Sequence, residues 1–404
     1  MAAKPAVLTV QVAIVGGGPA GLTAAIALAA AGVETALIAR TPAADHRTTA
    51  LLAGSVTALD TLGAWARCRG HAAPLKVMRI ADDTSRLIRA PEVSFAAAEI
   101  GLEAFGHNIE NRHLMDALNA RAGELPSLQR IDGEARAIEI GTDGVTVRLA
   151  AGGSVSARLV IGADGRRSLC RAAAGIETDG TSTQQTALTF NVRHTRPHHD
   201  TSTEFHTESG PFTLVPLPGA RSSLVWVVQT RDAKAIAALG ETALADEIER
   251  RSHSFLGKIA VEPGRGAFPL AVETARQFAL YRIALIGEAA HCIPPIGAQG
   301  LNLGLRDAAT IGELAVEACR DGGDPGAPDL LARYDAARRA DIKSRTLAVD
   351  MLNRTLLSDF LPVQGARGLG FFLIDRIGPL RRAVLREGVA PSASQPRLMR
   401  GEAL

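Results

Sequence analysis

The chain has 404 residues, room for two or three domains of roughly 100 to 200 residues each. Apolar residues make up 47% and charged residues 21%, ordinary globular usage that excludes a disordered, collagen-like or rod-shaped protein. Lys and Arg total 44 against 42 Asp and Glu, a net charge of +2, so no nucleic-acid partner is expected.

No charged residue occurs between Pro5 and Val33, but Gly16-Gly17-Gly18-Pro19 breaks that run. The apolar stretch beyond the break, Ala20 to Ala31, is about twelve residues, short of the roughly 20 that cross a bilayer. Val10 to Val15 therefore reads as a buried strand, Ala20 to Ala31 as a helix ended by Gly32, and Thr35 to Ile38 as a second strand. That order is a βαβ unit. Leu114 to Ala122 predicts a helix with Asn111 as its cap, followed by strands at Ala135 to Ile140, Val145 to Ala150 and Ala157 to Ile161. Turn signals at Thr142-Asp143-Gly144 and Ala151-Gly152-Gly153 make those strands a meander beside the first unit. Thr186 to Arg193, Phe212 to Pro216 and Ser222 to Thr230 predict a second, antiparallel sheet. Tyr281 to Ile286 and Leu301 to Cys319 then return the chain to the first domain, and a long helical tail begins near Pro328 and runs to about Arg386.

The expected architecture is α/β (α+β). A Rossmann-like domain occupies 1–180 and 276–330, an antiparallel sheet is inserted at 181–275, and a helical tail fills 331–404. The four cysteines, Cys68, Cys170, Cys292 and Cys319, lie far apart with no CxxC pair and read as reduced buried thiols of a cytoplasmic protein. The tail holds 13 Lys or Arg and 7 Asp or Glu, a net +6, and its apolar stretch Gly368 to Ile374 runs into Arg376, Arg381, Arg382 and Arg386. Two readings stay open: contact with the inner membrane face through arginines and anionic headgroups, or a helix packed on its own protein.

Gly16-Gly17-Gly18-Pro19-Ala20-Gly21 fits GxGxxG after a predicted strand and at the start of a predicted helix. Gly16 permits the tight turn, Gly18 lets backbone approach a pyrophosphate, Gly21 lets helix and strand pack, and the helix that opens at Pro19-Ala20 supplies amide donors beyond the proline. A dinucleotide is implied. The acidic residue that usually grips the ribose should end the second strand, where this chain has Ala39-Arg40, so Arg40 is assigned to the adenine or the pyrophosphate.

Gly162-Ala163-Asp164-Gly165-Arg166-Arg167-Ser168 and Gly287-Glu288-Ala289-Ala290-His291-Cys292-Ile293-Pro294-Pro295, with Gly297-Ala298-Gln299-Gly300-Leu301-Asn302 beyond, resemble the two further fingerprints of FAD-dependent aromatic hydroxylases with the para-hydroxybenzoate-hydroxylase-like fold. Asp45-His46-Arg47-Thr48-Thr49-Ala50-Leu51, Asn111-Arg112, Gly210-Pro211-Phe212, Ser222-Ser223-Leu224-Val225-Trp226 and Leu352-Asn353-Arg354 are similar to the ubiquinone-biosynthesis hydroxylases within that group. The likeness runs from residue 10 to about 388.

The resemblance implies FAD as cofactor, NADPH or NADH as co-substrate, dioxygen, and ring hydroxylation of a polyprenylated phenol through a flavin C4a-hydroperoxide. It implies that Asp164, Gly165, Gly287 and Glu288 approach the FAD, Glu288 standing where most members have Asp. Pro295, Gly297, Ala298, Gln299, Gly300, Leu301 and Asn302 would border the isoalloxazine, with Arg47 and Arg112 against the cofactor. Phe212, Leu214, Trp226 and Phe268 are candidates for the substrate pocket, plain core being the other reading. No general base can be named. His194, His198 and His199 with Asp200 and Glu204 match no metal-ligand spacing, so no metal is expected. Two alternatives remain: a hydroxylase of a soluble aromatic compound, or a non-catalytic flavin-binding accessory protein working with other ubiquinone-biosynthesis enzymes.

Overall fold

The computed structural model describes residues 7–41, 45–86, 89–294, 297–357, 370, 376–389 and 395–404. Its helices are α1 (Pro19–Ala30), α2 (Ala53–Thr61), α3 (Asn111–Gly123), α4 (Leu169–Ala173), α5 (Thr230–Ala237), α6 (Glu241–Arg251), α7 (Gln299–Arg320) and α8 (Pro328–Leu357), with a further helix at Gly378–Val389.

Val7–Val15 lies between Thr35–Ala39 and Ser154–Gly162, parallel to both, with Val12 opposite Thr35 on one side and Leu159 on the other. Leu128–Asp132 and Ile283–Leu285 extend this sheet in parallel at its two sides. Val145–Leu149 pairs antiparallel with the first half of Ser154–Gly162 and with Ala135–Ile140, so the expected meander grows out of the parallel sheet. Helix α1 is buried from Ala20 to Ala29. Its alanines and Gly21 leave so little side chain that it fits closely between the sheet and α7.

The second sheet runs His291–Cys292, Gly266–Ala275, Thr178–His194, Arg221–Gln229, Gly210–Leu217, Thr201–Thr207, Val77–Asp82, Val93–Ala96. It is antiparallel except where Thr201–Thr207 meets Val77–Asp82. The last two strands come from residues 77–96, which the sequence pattern assigns to the first domain. Val77–Asp82 joins the sheet through a strand over a hundred residues away, and no local signal announces that pairing. One face of this sheet is covered by α5 and α6, burying Phe190, Phe205, Phe212, Leu214, Leu224 and Trp226 against Leu244 and Ile248.

Asn111 is the first residue of α3 and not its cap. Its side chain instead accepts from the Thr49 hydroxyl (2.6 Å) and donates to the Asp45 carboxylate (2.8 Å). In the tail, Leu385 is 4% exposed against Phe95 and Phe105, so the described part of that segment packs on the protein itself. Apart from Gly370, the apolar stretch before it lies outside the described residues. Among the described residues no helix is long and apolar enough to cross a membrane.

Candidate functional site

The glycine turn is built by contact. Gly16 has φ +113° and donates its amide to Ile38 O (2.9 Å), and a Cβ there would meet Ala163 O at 2.2 Å. A Cβ on Gly21 would meet Gly16 O at 2.0 Å, so the turn, α1 and the Ala163 segment are locked together. Gly18 differs: a Cβ there would meet nothing within 4 Å. The N-terminus of α1, without a side-chain cap or an acidic residue in its first turn, faces that open ground, which fits a pyrophosphate. Gly287 and Gly304 pack against Ala20 from the other side, bringing the third fingerprint to the same helix start.

The sequence-assigned residues divide around this centre. Glu288 is largely exposed, 3.9 Å from Arg166, and its carboxylate lines the main cavity. Arg47 makes a two-pronged pair with Asp45 (2.8 Å each) and lies over the Phe268 ring at 5.0 Å. Burial pushes the Asp45 carboxyl up, but hydrogen bonds from Arg47 and Asn111 outweigh it and hold the group down at about 2. Ala298, with φ +56°, stands just before α7 as its N-cap residue; Asn302 donates to Ala298 O (2.5 Å) and Ala50 O (2.8 Å) and accepts from the Leu52 amide (2.8 Å). The Gln299 side-chain amide donates to Gly297 O at 3.0 Å. Gly297 to Asn302 therefore form one clamped loop and helix start, with Gly300 and Leu301 in its first turn. Pro295 lies outside the described residues.

Three of the assigned residues have protein partners of their own. The Asp164 carboxylate accepts from the Ser168 hydroxyl (2.5 Å) and the amides of Leu169 (2.7 Å) and Cys170 (3.1 Å). It holds the start of α4 and, beside Gly165, shapes the loop. Arg40 is exposed and ion-pairs with Glu134 at 3.4 Å, a residue just past the strand beside its own. Arg112 is half exposed and shared between the two Glu110 oxygens at 3.1 Å.

The cavity, about 760 Å³, lies between Arg47, Arg166, Glu288 and the uncovered face of the second sheet. Phe268 lines it. Phe212, Leu214 and Trp226 do not; at 2% exposure or less they point the other way, onto the α5 and α6 side. The cavity side is set by the intervening residues, Ala187, Thr189 and Asn191 on one strand and Ser223 and Val225 on its neighbour, with Asn191 opposite Ser223 in register. Sequence reasoning missed these, although the alternation Thr189-Phe190-Asn191-Val192 carries the signal: bulky residues on one face, small or polar ones on the other. Asn108 donates to Ser223 Oγ at 3.0 Å, leaving that hydroxyl's own proton for the cavity. His291 contributes no base: buried, its Nε2 meets Asp307 at 2.7 Å. Burial raises Asp307, but His291 and Arg338 outweigh it and hold the carboxyl below its ordinary range.

A three-fingerprint glycine turn beside a half-polar cavity defines a dinucleotide-dependent redox protein of the flavin class. Residues 9–347 match the family described as FAD binding domain. The chain is 38% identical over 402 residues to ubiquinone hydroxylase UbiL of Rhodospirillum rubrum, covering 97% of this chain and 92% of that one. It is 30% identical to 3-demethoxyubiquinol 3-hydroxylase of Escherichia coli, covering 93% and 97%. This chain belongs to the ubiquinone-biosynthesis hydroxylase family of FAD-dependent monooxygenases. The fold agrees: p-nitrophenol 4-monooxygenase PnpA of Pseudomonas putida superposes with TM-score 0.78 at 20% identity, covering 96% of this chain and all of that one. HpxO of Klebsiella pneumoniae, complexed with FAD and uric acid, gives 0.75 at 20% identity over 94% and 97%.

Proposed function

We propose that this chain hydroxylates the aromatic ring of a polyprenylated phenol in ubiquinone biosynthesis, with FAD as cofactor, NADPH or NADH as reductant and dioxygen as oxygen source. The cavity carries this reading. It is large enough for a substituted ring, and it runs from the Glu288 and Arg47 end to a buried polar pair on the sheet. FAD, when bound, supplies the dioxygen chemistry that no side chain can perform.

The protein's residues do the rest. Gly16, Gly18 and the α1 amides hold the pyrophosphate, and Glu288 offers a carboxylate to the ribityl hydroxyls. The first turn of α7 presents amides to the electron-rich flavin edge. Asn191 Oδ1 accepts a hydrogen bond from the substrate's phenolic hydroxyl while Ser223 donates one to the same oxygen, which fixes the ring in the cavity. Phe268, Leu270, Val225 and Ile293 keep water from the ring. The net charge of +6 over residues 331–404 suits an approach to a membrane face with anionic headgroups, where other enzymes of the pathway would be its neighbours, although the described part of the tail packs on the protein.

The test is mass spectrometry of lipid quinones from a strain lacking this protein, complemented with wild type or Gly18→Glu. Gly18 faces open space, so the variant folds while its side chain fills the pyrophosphate ground. A prenylated phenol short of ring oxygen should accumulate and be cleared by wild type alone. An unchanged quinone profile moves the substrate to a soluble aromatic compound.

A further inference from the structure

The two polar side chains at the sheet end of the ring cavity, Ser223 and Asn191, are held from behind by a strand that belongs to neither large sheet. Gly106–Glu110 is the middle strand of a small third sheet, between Thr48–Leu52 and Ala72–Pro74. Thr48, which lines the cavity, stands opposite Glu110 in register. Asn108 and Glu110 alternate along the strand, so their side chains leave it on one face, and both are buried. Asn108 reaches Ser223, and Glu110 reaches Asn191.

Chemistry fixes which way each of these contacts runs. The Asn108 Nδ2 group donates to Pro216 O at 2.9 Å and to Ser223 Oγ at 3.0 Å. A carbonyl oxygen only accepts, so the atom facing it is the amide nitrogen, and both of its hydrogens are engaged. An amide NH2 accepts nothing, so Ser223 cannot turn its own proton toward Asn108. Among the described residues nothing else receives that proton, and Ser223, buried, lines the cavity. Glu110 works in the opposite sense. Burial raises its carboxyl, but Arg221 and Arg112 outweigh it and hold the group below its ordinary range. A carboxylate has no proton to give, so Asn191 turns Nδ2 toward it, at 3.5 Å, and leaves Oδ1 for the cavity.

We propose that Asn108 is a positioning residue for the ring: acting through Ser223, it fixes a hydrogen-bond donor beside the acceptor that Glu110 fixes at Asn191. The pair selects a ring oxygen that both accepts and donates, which is a hydroxyl. A ring ether in that place leaves Asn191 Oδ1 without a proton, and a carboxylate meets it oxygen against oxygen. The inference rests on the phenol reading given above and narrows it.

The experiment is equilibrium binding to the oxidised, FAD-loaded protein without reductant, read as the change in flavin absorbance. The probes are a phenol bearing one prenyl unit and its methyl ether. The proteins are wild type, Asn108→Leu, Ser223→Ala and the double variant. Wild type should hold the phenol about tenfold more tightly than the ether, the worth of one hydrogen bond. Asn108→Leu keeps the outline of the side chain and removes the donor, which leaves Pro216 O as an acceptor competing for the Ser223 proton. It should weaken both ligands by about five- to tenfold, because both take that proton. Added to Ser223→Ala, the same substitution should weaken binding by less than about a further twofold. A side chain that merely braced the strand would weaken binding by the same factor with and without the hydroxyl. Ser223→Ala removes one oxygen and keeps the test decisive if Asn108→Leu does not fold: its loss should be equal for the phenol and the ether. No flavin change with either ligand in wild type overturns the phenol reading and this inference with it. Binding in wild type with an additive cycle, an ether held as tightly as the phenol, or a Ser223→Ala loss confined to the phenol overturns the inference alone.

Discussion

The two faces of the second sheet carry different side chains on the same strands. Toward α5 and α6, Phe190, Phe212, Leu224 and Trp226 interlock as a dry core, with the Arg251 guanidinium 4.7 Å over the indole. Toward the cavity the neighbours one residue along are Thr189, Asn191, Ser223 and Val225, too small to close the space and polar enough to orient a ligand. The pleat turns a one-residue step into a change of role. Large residues anchor the platform so that small ones can leave a cavity beside it.

Trp226→Ala tests the packed face and has the largest expected effect, a loss of about 3–5 kcal/mol in denaturant unfolding. The hydroxylation kinetics of the protein that remains folded should be close to wild type. A loss under about 1 kcal/mol would mean that the helices do not depend on this face. Asn191→Leu, a similar branched outline without the polar atoms on the other face, should reverse the pattern. Stability should change by less than about 1 kcal/mol, while kcat/KM for the phenol falls about 10- to 100-fold as the ring loses its anchor. If Asn191→Leu proves mainly a folding mutant, the division between faces fails.

The same comparison explains what could be read from the chain. The dinucleotide turn was legible because its contacts are local: Gly16, Gly21 and α1 meet within six residues, and their spacing is the geometry. Phe212, Leu214 and Trp226 were placed by apolarity alone, which cannot tell a core face from a cavity face. Only the helices seated on one side decide that, and they come after the strands in the chain. Asp164 was legible as part of a motif, while its bonds to Ser168, Leu169 and Cys170 at the start of a short helix were not. Strands 77–82 and 93–96 were illegible, because they join the sheet through Thr201–Thr207 and carry no turn signal linking the two regions.

Asp45 sharpens the cavity side further, through pH. Its folded value, about 2, lies below the ordinary 3.8, so the carboxylate's pairing with Arg47 and Asn111 contributes stability above about pH 4. That contribution is lost as pH falls toward 2. The stability difference between wild type and Asp45→Asn should therefore be flat from pH 7 to about 5 and shrink steadily below pH 4. A difference that instead grows with acid would show that Arg47 is held by something other than this carboxylate.

The smallest effect is expected at the far edge of the sheet, where Val93–Ala96 has no strand beyond it among the described residues. An open edge invites pairing with other chains, and here the helix Gly378–Val389 lies over it. Arg381 reaches Ser94 O on that edge, pairs with Glu99 at 2.5 Å and 3.0 Å, and stacks 4.5 Å over Phe95. Its hydrogen bonds to Glu99 hold that carboxyl below its ordinary range. Because the pair is peripheral, Arg381→Ala should lower global stability by no more than about 1 kcal/mol. Locally the same energy is about a fivefold change in opening, so amide exchange across Val93–Ala96 should quicken by about that factor while the Thr178–His194 strand is unaffected. Equal quickening in both strands would show that the tail helix braces the whole sheet and does not merely cap its edge.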